Sequence, residues 1–115
     1  MSLVVNMCVK ENTIFTRFNG ELDESTVGEI KSKLTEILDK YDIKNIVFNL
    51  KRLRFMDSSG IGMIIGKYNQ IKPRRGSIIL CELNENIERI ISMSGLLRIC
   101  TLRDSEESAR WFLGI

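Results

Sequence analysis

Leu3, Val5, Met7 and Val9 alternate with Val4, Asn6, Cys8 and Lys10, a period of two that predicts a strand with one wholly apolar face. After a turn at Glu11 and Asn12, residues 13–19 predict a second strand carrying Ile14, Phe15 and Phe18, and the two strands form a hairpin. The segment Gly20-Glu21-Leu22-Asp23 then leads into a helix. Val27, Ile30, Leu34, Ile37, Leu38 and Tyr41 recur at spacings of three and four, which sets a helix over about residues 25–40, with Lys31, Lys33, Glu36, Asp39 and Lys40 on its solvated side.

Residues 45–50 hold the nearly continuous apolar run of a central strand covered on both faces. Ile61, Ile64, Ile65 and Tyr68 mark the next helix, which Pro73 stops before a turn at Arg74-Arg75-Gly76. Gly62 and Gly66, four apart on it, leave room for another element to approach. Residues 78–81 predict a second buried strand. Ile87, Ile90 and Ile91 mark a third helix, closed by Gly95. Residues 99–102 form a short strand. Asp104-Ser105-Glu106-Glu107 resembles a capping box with Asp104 as the cap, opening a last helix with Ala109, Phe112 and Leu113, and with Trp111 as its anchor to the body. The order β-β-α-β-α-β-α-β-α predicts one α/β domain over residues 1–115, a mixed β-sheet with an N-terminal hairpin and about four helices.

Composition narrows the function. A chain of 115 residues, 43% hydrophobic and 28% charged, can bury a core as a soluble domain. A net charge of +2 does not call for nucleic acid. No apolar run reaches the ~18 residues of a membrane span, and residues 1–10 lack the basic and apolar blocks of a signal peptide, so a cytoplasmic protein is expected. Histidine is absent, which removes the commonest general base and metal ligand. Cys8, Cys81 and Cys100 have neither metal nor redox spacing and read as three buried thiols in a reducing compartment. No cofactor and no metal is expected.

The chemistry concentrates in Phe55-Met56-Asp57-Ser58-Ser59-Gly60-Ile61-Gly62, where a strand gives way to a helix. Asp57 suits the N-cap, which leaves Ser58 and Ser59 in the first turn. Free N–H groups and the positive dipole end there would stabilise a phosphate on a serine. On the residues alone the same segment is equally an ordinary capped start with two inert hydroxyls. Neither the P-loop spacing nor the dinucleotide glycine spacing is present, and a serine hydrolase lacks its histidine. Lys51-Arg52-Leu53-Arg54 and Lys72-Pro73-Arg74-Arg75 read as solvated connections, the first close enough to the site to touch an acidic partner or a phosphate.

Phe55 to Ile61, preceded by Ile46-Val47-Phe48-Asn49-Leu50, resembles the signature of STAS domains. Gly20-Glu21-Leu22-Asp23 and Met93-Ser94-Gly95-Leu96 match two further segments of that family, in order and over essentially the whole chain. Within the family the chain is most similar to the sporulation anti-sigma-factor antagonists. The resemblance implies a regulator and not an enzyme. Its unphosphorylated form would bind an anti-sigma factor that is also a serine kinase and so release the sigma factor. The kinase would phosphorylate Ser58, and a serine phosphatase would reverse the step. Partner contacts would fall on Glu21, Asp23, Asp57, Ser58, Ser59, Gly60 and Ile61, with no direct contact to nucleic acid or membrane. Ser58 rather than Ser59 comes from the resemblance, because helix boundaries read from sequence do not separate them. Two other readings stand beside it: a STAS interaction module of another signalling or stress-response complex, and a small nucleotide-binding protein.

Overall fold

The computed structural model describes residues 2–115. The elements follow the expected order: β1 (Leu3–Lys10), β2 (Thr13–Leu22), α1 (Val27–Lys40), β3 (Asn45–Met56), α2 (Ser58–Ile71), β4 (Ile78–Cys81), α3 (Glu85–Ser94), β5 (Thr101–Arg103) and α4 (Glu106–Leu113). They build one five-stranded sheet in the order β1-β2-β3-β4-β5. The β1–β2 hairpin is antiparallel and every other pair is parallel.

Strand parity divides the apolar residues between two cores. Ile14, Phe18, Ile46, Phe48 and Leu50 pack with Ile30, Leu34 and Leu38 of α1, Met63, Ile64 and Ile71 of α2, and Ile87 and Ile91 of α3. Phe15, Val47, Ile79 and Cys81 form a smaller core with Ala109 of α4. Three helices therefore cover one face and α4 covers part of the other, which explains the unbroken apolar runs of β3 and β4.

Two strands run further than their sequence pattern suggests. β3 continues past Leu50 to Met56, so Lys51-Arg52-Leu53-Arg54 lies within a strand and is not a connection. The reason is a broken alternation. Arg17 pairs with Asn49 but Asn19 with Arg52, and Gly20 pairs with Leu53 but Glu21 with Phe55. Each jump inserts an extra residue in β3, a bulge that resets which side chains face inward. Leu53 and Met56 turn into the core while Arg54 and Phe55 face out. β2 likewise continues through Gly20 to Leu22. Gly20 has φ +133°, and a Cβ there would sit 2.2 Å from the Ser2 carbonyl oxygen, so the close approach of the chain entering β1 excludes other residues.

Four further expectations need correction. Cys8 is exposed, because it lies on the face of β1 that no helix covers; Cys81 and Cys100 are buried, and burial pushes each thiol up to about 12. The N-cap of α4 is Ser105, whose hydroxyl accepts the Ser108 N–H at 3.0 Å, and not Asp104. Trp111 is 76% exposed and anchors nothing to the core. The tie of α4 to the sheet is instead Glu106, whose carboxylate accepts two bonds from the Arg17 guanidinium at 2.8 Å each and one from the Asn49 amide at 2.7 Å. Finally, among the described residues no element packs closely on Gly62 or Gly66: a Cβ at either would meet nothing within 4 Å.

Candidate functional site

β2 and β3 end side by side, with Glu21 paired to Phe55 and Leu22 to Met56. This brings the β2–α1 loop against the start of α2. The Asp57 N–H donates to the Leu22 carbonyl at 3.2 Å and the Glu24 N–H reaches Asp57 Oδ2 at 3.4 Å, so backbone and side chain tie the two segments together. Gly60 completes the junction. A Cβ on it would lie 2.7 Å from Met56 Cγ and 3.0 Å from the Leu22 side chain.

Asp57 caps α2 as expected. Its Oδ1 accepts the N–H of Ser59 at 2.9 Å and of Gly60 at 3.4 Å, and its carbonyl accepts the Ile61 N–H at 3.2 Å. The amides of Ser59, Gly60 and Ile61 are thus already engaged by this residue.

The two serines open onto different surfaces. Ser58 is exposed, and Ile61 and Ile65 follow it at intervals of three and seven, on the same side of α2. Phe55 and Ile65 are 41% and 40% exposed, so apolar side chains stand open at the end of β3 and on the Ser58 side of α2. Ser59 is half-buried and heads the groove between α1 and α2, where it lines the wall with Lys31, Thr35, Gly62, Gly66 and Lys67.

The loop residues also divide. Asp23 is 7% exposed and its carboxylate is engaged within its own turn, accepting the Ser25 hydroxyl at 2.6 Å and the Ser25 N–H at 2.9 Å. The Ser25 hydroxyl is the main cause holding the Asp23 carboxyl below its ordinary value. Thr26 locks the same turn by donating to the Glu21 carbonyl at 2.8 Å. Asp23 shapes the loop and offers its surroundings little surface. Glu21 stays half-buried with Oε2 3.7 Å from Arg54 Nη2, and that oxygen has no hydrogen-bond partner among the described residues. Arg54 belongs to the basic cluster, whose end the β3 bulges bring against the loop.

Sequence patterning missed Lys67. It sits at 2% exposure on the inward face of α2, where its Nζ donates to Thr35 Oγ1 and to Gln70 Oε1. Burial lowers its pKa below the ordinary lysine value, and the Lys31 charge lowers it further. A lysine within a stripe of isoleucines was the available signal.

Among the described residues no group of three or more Cys, Asp or Glu is placed to hold a metal ion, and no helix is long and apolar enough to cross a membrane.

Comparison with known proteins places this geometry. The model of the STAS domain family matches residues 5–109. The anti-sigma F factor antagonist of Paenibacillus polymyxa is 35% identical over 109 residues, covering 95% of this chain and 93% of its own. The solved structure of the anti-sigma factor antagonist SpoIIAA in its unphosphorylated form matches with a TM-score of 0.78 at 26% identity, over 97% of this chain and all of that one. The phosphorylated form of the Bacillus cell fate determinant SpoIIAA matches with a TM-score of 0.74 at 27% identity, over 95% of this chain and 99% of that one. A fold shared along nearly its whole length, and a relative so alike in sequence, make one conclusion: the chain belongs to the STAS domain family, among its anti-sigma factor antagonists.

Proposed function

We propose that this protein is a cytoplasmic partner switch of sporulation. Its unphosphorylated form binds an anti-sigma factor that is also a serine kinase, and the bound sigma factor is released. Phosphorylation of Ser58 by that kinase ends the binding, and a serine phosphatase restores it. The single observation that carries this reading is the contrast within the first turn of α2: Ser58 is exposed on the side of α2 that carries Ile61 and Ile65, whereas Ser59 is half-buried in the α1–α2 groove. A kinase reaches the first hydroxyl without moving the helix. The likeness to SpoIIAA in both unphosphorylated and phosphorylated forms supports the same reading.

The switch is electrostatic and local. Phosphate adds about −1.5 to −2 charges at neutral pH. Two like charges about 5 Å apart at an effective dielectric near 20 repel by on the order of 3 kcal/mol, which is roughly a hundredfold in affinity. With Asp57 occupying the amides of Ser59 and Gly60, the phosphate does not find those two N–H groups free to cradle it. It also places a dianion within the apolar contact surface, where its desolvation opposes binding. Glu21, Asp57 and Ile61 frame the partner surface directly, while buried Gly60 closes the junction beneath it and Asp23 holds the loop that presents it.

Intact-mass analysis after incubation with ATP and the cognate kinase tests the assignment. The wild type and Ser59→Ala gain one phosphate and Ser58→Ala gains none. A phosphate kept by Ser58→Ala and lost by Ser59→Ala would overturn it.

A further inference from the structure

The two edges of the sheet are built differently. β5 is 3 residues long, whereas β1 is 8 and pairs, among the described residues, with β2 alone. The open side of β1 presents unpaired N–H and C=O groups, a template for another strand. The usual protections are missing from its middle: no charge and no proline stands between Leu3 and Val9. Beside it lies a trough of about 800 Å³ between β1 and α1, floored by Leu3, Val5 and Met7 and extended along Met7 and Val9 toward Tyr41. The opposite wall carries Glu29, Lys33, Glu36 and Lys40 of α1 in alternating charge.

We propose that this edge pairs with β1 of a second copy of the chain, joining the two sheets into one through an isologous, antiparallel contact. Two registers argue for a copy of itself over a foreign strand. Facing residues in an antiparallel pair share a face, so a two-fold axis must pass through a residue. With the axis at Met7, Met7 faces Met7 and Val5 faces Val9 along the trough, while Asn6 faces Cys8 on the other side. Apolar positions meet apolar ones from Val5 to Val9, while Leu3 falls opposite Glu11, beyond the end of β1.

The charges on α1 obey the same axis. Met7, Lys33 and Glu36 line both stretches of the trough, so the axis through Met7 passes between Lys33 and Glu36. Reversal about that point sets Lys33 against Glu36 and Glu29 against Lys40 of the second copy. Each charge meets its opposite, and the long side chains lie over the apolar floor. This surface is separate from the Ser58 site, and the inference does not depend on the kinase reading.

Sedimentation equilibrium of the full chain across a range of concentrations tests it. The wild type forms a dimer. Met7→Lys, which sets two ammonium groups face to face at the axis, weakens the dimer by roughly tenfold or more. Lys33→Glu and Glu36→Lys, both at exposed positions, each weaken it, and the double variant recovers because both opposed pairs return in swapped form. Three results would overturn the inference: a monomer at every concentration, a dimer indifferent to Met7→Lys and to the single reversals, or a double variant no tighter than the singles. An edge that stays free of its own copy and takes a strand from another protein counts among the first.

Discussion

Asp57 Oδ1 accepts the Ser59 N–H at 2.9 Å, which fixes a carboxylate at the start of α2, one residue before Ser58. The same side chain reaches the Glu24 N–H with its other oxygen. One residue therefore caps the helix, ties it to the β2–α1 loop and supplies a fixed negative charge next in the chain to Ser58, the proposed phosphorylation site.

Asp57→Ala should lower stability by about 1 kcal/mol, the usual loss on removing a cap. Asp57→Asn should cost much less, because an amide oxygen also accepts the two N–H groups. Chemical denaturation of the two variants checks the ordering. Equal losses would show that charge, and not capping, carries the contribution of Asp57 to the fold.

The bidentate Arg17–Glu106 pair secures α4. Hydrogen bonds from Arg17 are the first cause of the lowered Glu106 pKa, with Asn49 contributing. A carboxylate whose folded pKa is lowered stabilises fully above its unfolded value and loses that contribution as pH falls through the folded value. Wild-type stability should thus decline from about pH 4.3 downward, and Glu106→Gln should show a smaller decline. Because Arg17 is 61% exposed, screening limits the effect at neutral pH to about 1 kcal/mol. Urea denaturation midpoints from pH 7 to pH 3 measure both curves.

Lys67 works in the opposite window. Its folded pKa lies below the ordinary 10.5, so between those two values the unfolded chain holds more protons than the folded one. Stability from this group should rise as pH climbs through that interval. Lys67→Met keeps the length of the stem and removes the titration, so its stability should vary less over the same range. Thermal melts from neutral pH to pH 10.5 decide it, and parallel curves for the two proteins would show that the lysine titrates alike in both states.

The parts of this fold that alternate or repeat were readable along the chain. The apolar face of β1, the stripe of Ile30, Leu34 and Leu38 on α1 and the unbroken runs of β3 and β4 lie where their periods put them. The bulged end of β3 was not, because Leu53 and Met56 recur at a spacing of three that belongs to no flat strand. Trp111 and Cys8 were misplaced for a related reason. Residue type suggests burial, but α4 covers only part of its face of the sheet, and Cys8 lies beyond it. At the site, the motif located Ser58 and Ser59 together, and only the exposure of the helix start separates them.

The central claim is that a charge on Ser58 is itself the switch. Isothermal calorimetry of the cognate kinase with this protein, first unphosphorylated and then stoichiometrically phosphorylated on Ser58, measures it directly. The account expects the phosphorylated form to bind roughly a hundredfold more weakly. Equal affinities for the two forms would contradict it.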